Sequence, residues 1–273
     1  MSTTIDQAFI KQFESEVHMA YQRMGSKLRN TVRFKSNVKG SSTTFQKVAK
    51  GAASTKTRHG NLSVMNAVHS NVECTLADYY AADYIDKLDE LKINIDERAI
   101  TTNNAAYAMG RKSDELIVAA LDGTTNTITE AGTDGLTQAK INQVFTAFGE
   151  NDVPDDGERY FIISPEGWVD LLGISAFSDA DFVGSDDLPY KGGMVAKRWL
   201  GFMWMTFSGL DEAAGIRKCF AYHRSAVGMA SGQDVVTEIN YVPEKVAHIA
   251  TAMMSQGAVL IDTTGVYEVQ IAE

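Results

Sequence analysis

Residues 26–70 cannot build a core of their own. Ser, Thr, Lys, Asn and Gly dominate the stretch, and only Val32, Phe34, Val38, Phe45, Val48, Leu62, Val64 and Met65 could anchor anything. Ordering a backbone costs roughly 1–2 kcal/mol per residue, and so few apolar side chains cannot offset that internally. Yet it has strand-like pieces, at 31–35 and, after the loop, at 71–77, where Val72, Cys74 and Leu76 alternate with Glu73 and Thr75. This predicts a long, weakly anchored β-hairpin projecting from the body, mobile in a lone subunit and ordered against a neighbour. Excursions of this length inside a compact chain are functional or disordered.

The same region is basic. Residues 1–60 hold eleven Lys/Arg and three acids, a net of +8; the whole chain carries −10, so the remainder carries −18. A solvated tail is the bland reading. The sharper ones are docking on acidic neighbours or contact with nucleic acid. The acidic surface available to it includes the 150–158 and 178–187 loops and the 78–97 region.

Around this stretch the chain alternates helix and strand signals. Ile5, Phe9, Phe13, Val17, Tyr21 and Met24 predict an amphipathic helix over 5–24. Its stripe packs either on its own core or on another subunit. Asp78 is expected to cap a helix over 79–91, and a longer helix is expected at 102–121, where Gly110 suits close approach to a neighbouring element. A linker follows at 123–135. Thr137 caps a helix over 137–148 through Ile141, Val144, Phe145 and Phe148. A buried strand at 159–164 leads into Ser164-Pro165, which opens a short helix, since proline at the first helical position needs no N–H. Strands are expected at 201–207, 217–222, 235–242, 246–254, 258–261 and 266–271, with a short helix near 225–230. The order fits α+β better than a doubly wound α/β fold.

Signatures of chemistry fail one by one. There is no GxGxxG, no GxxxxGK[ST], no GxSxG and no HExxH. His18, His59, His69, His223 and His248 show no ligand spacing. An EF-hand register at Asp179, Asp181 and Gly184 breaks at Val183 and Tyr190, and the 152–163 loop breaks at Ile163. Cys74 and Cys219 read as buried small hydrophobes. No helix-turn-helix or RRM pattern accompanies the basic arm, which leaves nonspecific nucleic-acid contact only. The longest run free of charged residues, 246–261, falls short of the roughly 20 residues of a membrane span, and the first residues lack a signal-peptide core. The expectation is a non-enzymatic protein without cofactor, metal or membrane, made in a cytoplasm.

Several phrases in order resemble one family. ADYYAADYIDKLDELKINID followed by AYAMGRKSDELIVAALDG is similar to the exit of an extended loop into a spine helix. RYFIISPEGWVDLL resembles a strand–Pro–helix phrase of an axial domain, and GGMVAKRWLGFMWMTFSGL its Gly-Phe strand segment. AYHRSAVGMASG and AHIATAMMSQGAVLIDTTGVYEV resemble the return into a peripheral domain. The set is similar to tailed-bacteriophage major capsid proteins of the Hong Kong 97-like fold, over nearly the whole chain.

The resemblance implies an N-terminal arm at 1–30, an extended loop at 31–77, a peripheral domain combining 78–134 with 235–273, and an axial domain at 135–234. It implies hexamers and pentamers tiling an icosahedral shell around double-stranded DNA, with Phe9, Phe13, Arg29, Arg33, Phe34, Lys35, Phe45, Lys47, Lys50, Lys56 and Arg58 contacting neighbouring subunits. Partners would be a separate scaffolding protein, a portal and a decoration protein, in a virion capsid assembled in the host cytoplasm. The hairpin begins near residue 31, which leaves no room for a cleaved scaffolding segment. Lys47, Lys50 and Lys56 sit where some members place a crosslinking lysine, but neither the acceptor Asn nor the assisting Glu is matched, so that chemistry does not carry over. An encapsulin-like cargo shell and a soluble α+β enzyme are the alternative readings. Copurifying cargo would mark the first, a deep pocket of perturbed carboxylates or histidines the second.

Overall fold

The computed structural model describes residues 24–87, 97–128, 135–178 and 196–273. The expected helix over 5–24 and the 178–187 loop beyond Ser178 lie outside the described residues.

In chain order the elements are β1 (Arg33–Lys35), β2 (Ser42–Val48), β3 (His69–Thr75), β4 (Ala77–Asp86), α1 (Glu97–Asp122) and β5 (Thr127–Ile128). Then come α2 (Gln138–Glu150), β6 (Arg159–Ile163), α3 (Pro165–Leu172), α4 (Ser175–Ser178), β7 (Lys197–Trp199) and β8 (Phe202–Thr206). The last are β9 (Glu212–Ala213), β10 (Ile216–His223), β11 (Val227–Val242), β12 (Ala247–Leu260) and β13 (Val266–Ala272). One sheet runs β1-β11-β12-β4, a second β5-β13-β10-β6-β8-β7 with β9 on β10, and β2-β3 form a two-stranded ribbon. The chain is α+β, as expected.

The chain divides into two compact units. One takes in Asp78–Lys112, Asp234–Met254 and the described residues 24–26; the other takes in Lys27–Ala77, Ser113–Gln233 and Ser255–Glu273. The smaller unit packs Ala105 and Met109 of α1 with Ala252 and Met254 of β12, and Tyr79, Ala81 and Val235 lie against them. There the backbone of Gly25 passes so close to Gly110 that a Cβ would stand 2.5 Å from it, the close approach the sequence suggested.

The larger unit holds the main core. Phe161 of β6 stacks on Trp204 of β8, centroids 4.1 Å apart, inside a cluster that includes Ile117, Leu121, Ile141, Val144, Phe148, Trp168, Phe220 and Val269. Thr137 caps α2 by accepting the Lys140 N–H at 3.3 Å. Ser164 caps α3 by accepting the Gly167 N–H at 3.0 Å, with Pro165 following it. Ile141, Val144 and Phe148 point inward as expected, whereas Phe145 is exposed.

Four expectations are corrected. Residues 77–86 are strand, not the start of a helix over 79–91. The spacing of Ala81 and Ile85 suits a helix turn, but it is also two strand periods, and Tyr79 and Ala81 lie on one pleat face. Tyrosine-rich sequence beside an available ladder on β12 resolves the tie toward strand. Residues 227–242 form one strand, and only Arg224–Ala226 make a helical turn where a short helix was expected near 225–230. The segments 246–254 and 258–261 are one continuous strand. Finally, residues 33–35 do not pair with 71–77: β1 runs parallel to β11, while the hairpin is β2 against β3.

Candidate functional site

The hairpin is fastened at its root and bare at its tip. In β2-β3 Thr43 faces Cys74 and Phe45 faces Val72. Phe45 and Cys74 turn inward onto Ala230 and Ile261, with Val38, Leu76 and Val259 around them. Two glycines make room. A Cβ on Gly228 would meet the Phe45 ring at 2.8 Å, and one on Gly257 would lie 2.1 Å from the Thr75 carbonyl oxygen. Beyond Val48 and before His69 the chain has no strand, and its apolar side chains face out: Leu62 is 73% exposed, Val64 82%, Met65 60% and Val68 68%.

The basic residues sort by position. Lys47 pairs with Asp262 at 2.8 Å, both side chains about a third exposed. Burial raises the Asp262 carboxyl pKa, but Lys47 and the Thr264 hydroxyl and N–H outweigh it, so the net shift is downward. Lys50 reaches Asp152 at 2.7 Å and the Asn151 carbonyl at 3.2 Å; the Lys50 hydrogen bond lowers the Asp152 pKa. Lys35 donates to the Thr43 hydroxyl at 2.6 Å. The Arg29 guanidinium lies 4.2 Å from the centroid of Phe34, and that of Arg33 5.6 Å from the centroid of Phe45. Phe34 is half-buried against the main core. Lys56 and Arg58 stand exposed on the tip. Phe9 and Phe13 lie outside the described residues.

The 150–158 loop is built around Arg159. Its side chain is nearly buried and donates to the carbonyls of Pro154 at 2.9 Å and Val153 at 2.5 Å. The loop's acids have partners in the chain: Asp152 with Lys50, Asp156 with the His223 ring at 3.1 Å, and Glu158 with Arg224 at 2.6 Å. The Ser225 N–H donates to His223 Nδ1 at 3.2 Å, so Nε2 carries the proton given to Asp156. The Glu158 N–H is the largest cause of a downward shift of the Asp156 pKa. Among the described residues no cluster of His, Cys, Asp and Glu could hold a metal, and no helix is long and apolar enough to cross a membrane.

Sequence reasoning missed the partners of these lysines. Asp262 carried a usable signal: Asp-Thr-Thr is an Asx-turn sequence, and its carboxylate accepts the Thr264 N–H at 3.1 Å. Thr43 and Gly228 carried none that separates them from any polar loop residue or strand glycine.

A family model described as phage capsid protein matches residues 5–273. Among solved structures, the capsid of Cyanophage P-SCSP1u superposes with a TM-score of 0.76 at 18% identity, covering 100% of this chain and 96% of that one. Mycobacterium phage Che8 gives 0.74 at 18% identity, covering 96% and 97%. The capsid of a native GTA particle gives 0.77 at 11% identity, covering 97% and 96%. No curated protein is matched.

Proposed function

Because the chain belongs to the phage capsid protein family, and is by that membership a major capsid protein of the virion shell, we propose that its copies join as hexamers and pentamers into an icosahedral shell enclosing the double-stranded DNA of a tailed phage. Residues 1–30 serve as arm, 31–77 as extended loop, 78–134 with 235–273 as peripheral domain and 135–234 as axial domain. The role is structural rather than catalytic. Assembly takes place in the host cytoplasm with a separate scaffolding protein, a portal and a decoration protein.

The single observation that carries this reading is the hairpin. Its root is locked by Phe45, Cys74 and the Lys47–Asp262 pair, while Leu62, Val64, Met65 and Val68 face solvent along one stretch without strand structure. A run of apolar side chains on a projecting loop has no use within a lone subunit and suits burial against a second copy. Lys56 and Arg58 on the same stretch can meet carboxylates of that copy; Lys47 and Lys50 instead brace the loop on its own chain.

Size-exclusion chromatography with negative-stain microscopy tests this. Closed shells are expected, alone or with scaffold. Protein that stays monomeric under every assembly condition overturns it.

A further inference from the structure

The basic residues of the first sixty are not one population. No Asp or Glu occurs between Glu16 and Glu73, whereas ten Lys/Arg run from Arg23 to Arg58. Lys47 and Lys50 have carboxylates from elsewhere in the chain. Arg33, Lys35 and Lys39 are exposed and, among the described residues, have no carboxylate ion pair. Arg33 and Lys35 are held in place by uncharged groups instead.

β1 lies at the edge of its sheet, with Phe34 turned to the core and Arg33 and Lys35 on the opposite face. Arg33 stands opposite Gly228 and Lys35 opposite Ala230. Gly228 leaves space that the Phe45 ring fills, and the Arg33 guanidinium lies against that ring. Lys35 is steadied by the Thr43 hydroxyl. Past β1 the chain turns at Asn37, whose φ is 56°, and the Val38 N–H donates to the Ser231 carbonyl at 3.0 Å; exposed Lys39 follows directly after this turn.

We propose that Arg33, Lys35 and Lys39 form a strip that binds the phosphate backbone of double-stranded DNA. This rests on the reading of the chain as the coat of a DNA-filled shell. Arg33 and Lys35, two residues apart on a strand, are spaced about 6.6 Å, close to the advance along the helix axis of two phosphates of one DNA strand at about 3.4 Å each. Cations steadied by an aromatic face and a hydroxyl keep their charge available, whereas a carboxylate partner would neutralise it. The rest of the chain, at −18 over residues 61–273, repels DNA, so a duplex can approach only where cations gather without acids, as on this strip.

The test uses full-length protein and a short blunt DNA duplex, with affinity followed by fluorescence anisotropy across about 50 to 200 mM salt. Arg33→Gln, Lys35→Gln and Lys39→Gln together should lower the salt slope by roughly 2–3, at about 0.9 per phosphate contact. Lys50→Gln, Lys56→Gln and Arg58→Gln, the same charge change, should leave it within error. Lys35→Gln with Lys39→Gln alone spares the Arg33–Phe45 contact and should lower the slope by about 2. Equal losses in both triple variants would mean that bulk charge is responsible and would overturn the strip. So would an unchanged slope in the strip variant, including the case where that variant instead fails to build shells, which would assign these residues to a neighbouring subunit. Microscopy of the same wild-type preparation reports separately whether shells form at all.

Discussion

The Asp114 carboxylate accepts the backbone N–H of Leu28 at 3.0 Å, across 86 positions of sequence. Both of its oxygens also accept the Lys27 N–H at 3.1 Å. Asp114 and Leu28 are fully buried. Three residues on, the Thr31 hydroxyl donates to the Leu28 carbonyl at 2.7 Å, so the Tyr222 phenol donates to it in turn, at 2.5 Å. A charged acceptor on α1 therefore fixes where the chain enters the larger unit, just before the hairpin begins.

Asp114→Ala should lower subunit stability by about 1–3 kcal/mol, the cost of leaving a buried N–H unpaired. Asp114→Asn keeps one acceptor oxygen and should cost less. Urea denaturation of dissociated subunits measures both. Equal midpoints for wild type and Asp114→Ala would show that the clamp contributes nothing.

Much of this fold is legible in the sequence where a local rule has no rival. Thr137 and Ser164-Pro165 start helices because a side-chain acceptor and a missing N–H suit only a helix N-terminus. The scarcity of apolar anchors in 26–70 matches the strandless stretch between Val48 and His69, although the hairpin strands themselves are 42–48 and 69–75. Pairing was not legible. Phe34 and Phe45 look alike in sequence, yet one sits on a sheet edge beside β11 and the other at the hairpin root, because Gly228 leaves a gap for Phe45. Long-range complementarity of that kind has no local periodicity. The helix expected over 79–91 fails for a related reason: the β12 ladder that captures residues 77–86 lies about 165 residues away.

Gly257→Ala should be poorly tolerated. Its Cβ would stand 2.1 Å from a backbone oxygen and 3.1 Å from the carbonyl carbon of Thr75, and backbone cannot step aside as a side chain can. A cost of about 1–3 kcal/mol is expected, with increased proteolysis at the hairpin root. Gly149→Ala provides the contrast. Nothing lies within 4 Å of that Cβ, and the residue sits in α2, so a gain of roughly 0.5–1 kcal/mol is expected. Thermal melts of the two variants should move in opposite directions.

Acid should loosen the hairpin before it unfolds the body. The Asp262 pKa is lower in the folded chain than in the unfolded one. The stability this provides is therefore complete above the unfolded carboxylate value, about 3.9, and is lost as pH falls through the lower folded value. Asp152 shifts the same way against Lys50, so Asp262→Asn isolates the root pair. Protection of the β2 and β3 amides, taken relative to their intrinsic exchange rates, should fall across that window in wild type. In Asp262→Asn it should be lower at neutral pH and flatter with acid. Parallel pH profiles for the two proteins would refute the pair's role.

The exposed tip separates assembly from folding. Leu62 and Val64 are 73% and 82% exposed, so Leu62→Ser with Val64→Ser removes little that the subunit buries and should leave its melting temperature unchanged. If these side chains are covered by a second copy in the shell, each loses up to about 1.5–3 kcal/mol of burial per contact, and every copy in the shell repeats the loss. The double variant should assemble only at higher protein concentration, or not at all, with unaltered subunit stability. Val169→Ser, at a side chain 59% exposed on α3 and not part of the hairpin, is the control expected to assemble normally. Light scattering over a concentration series distinguishes the cases. A tip variant that assembles at the wild-type threshold would show that the apolar run stays in solvent within the shell.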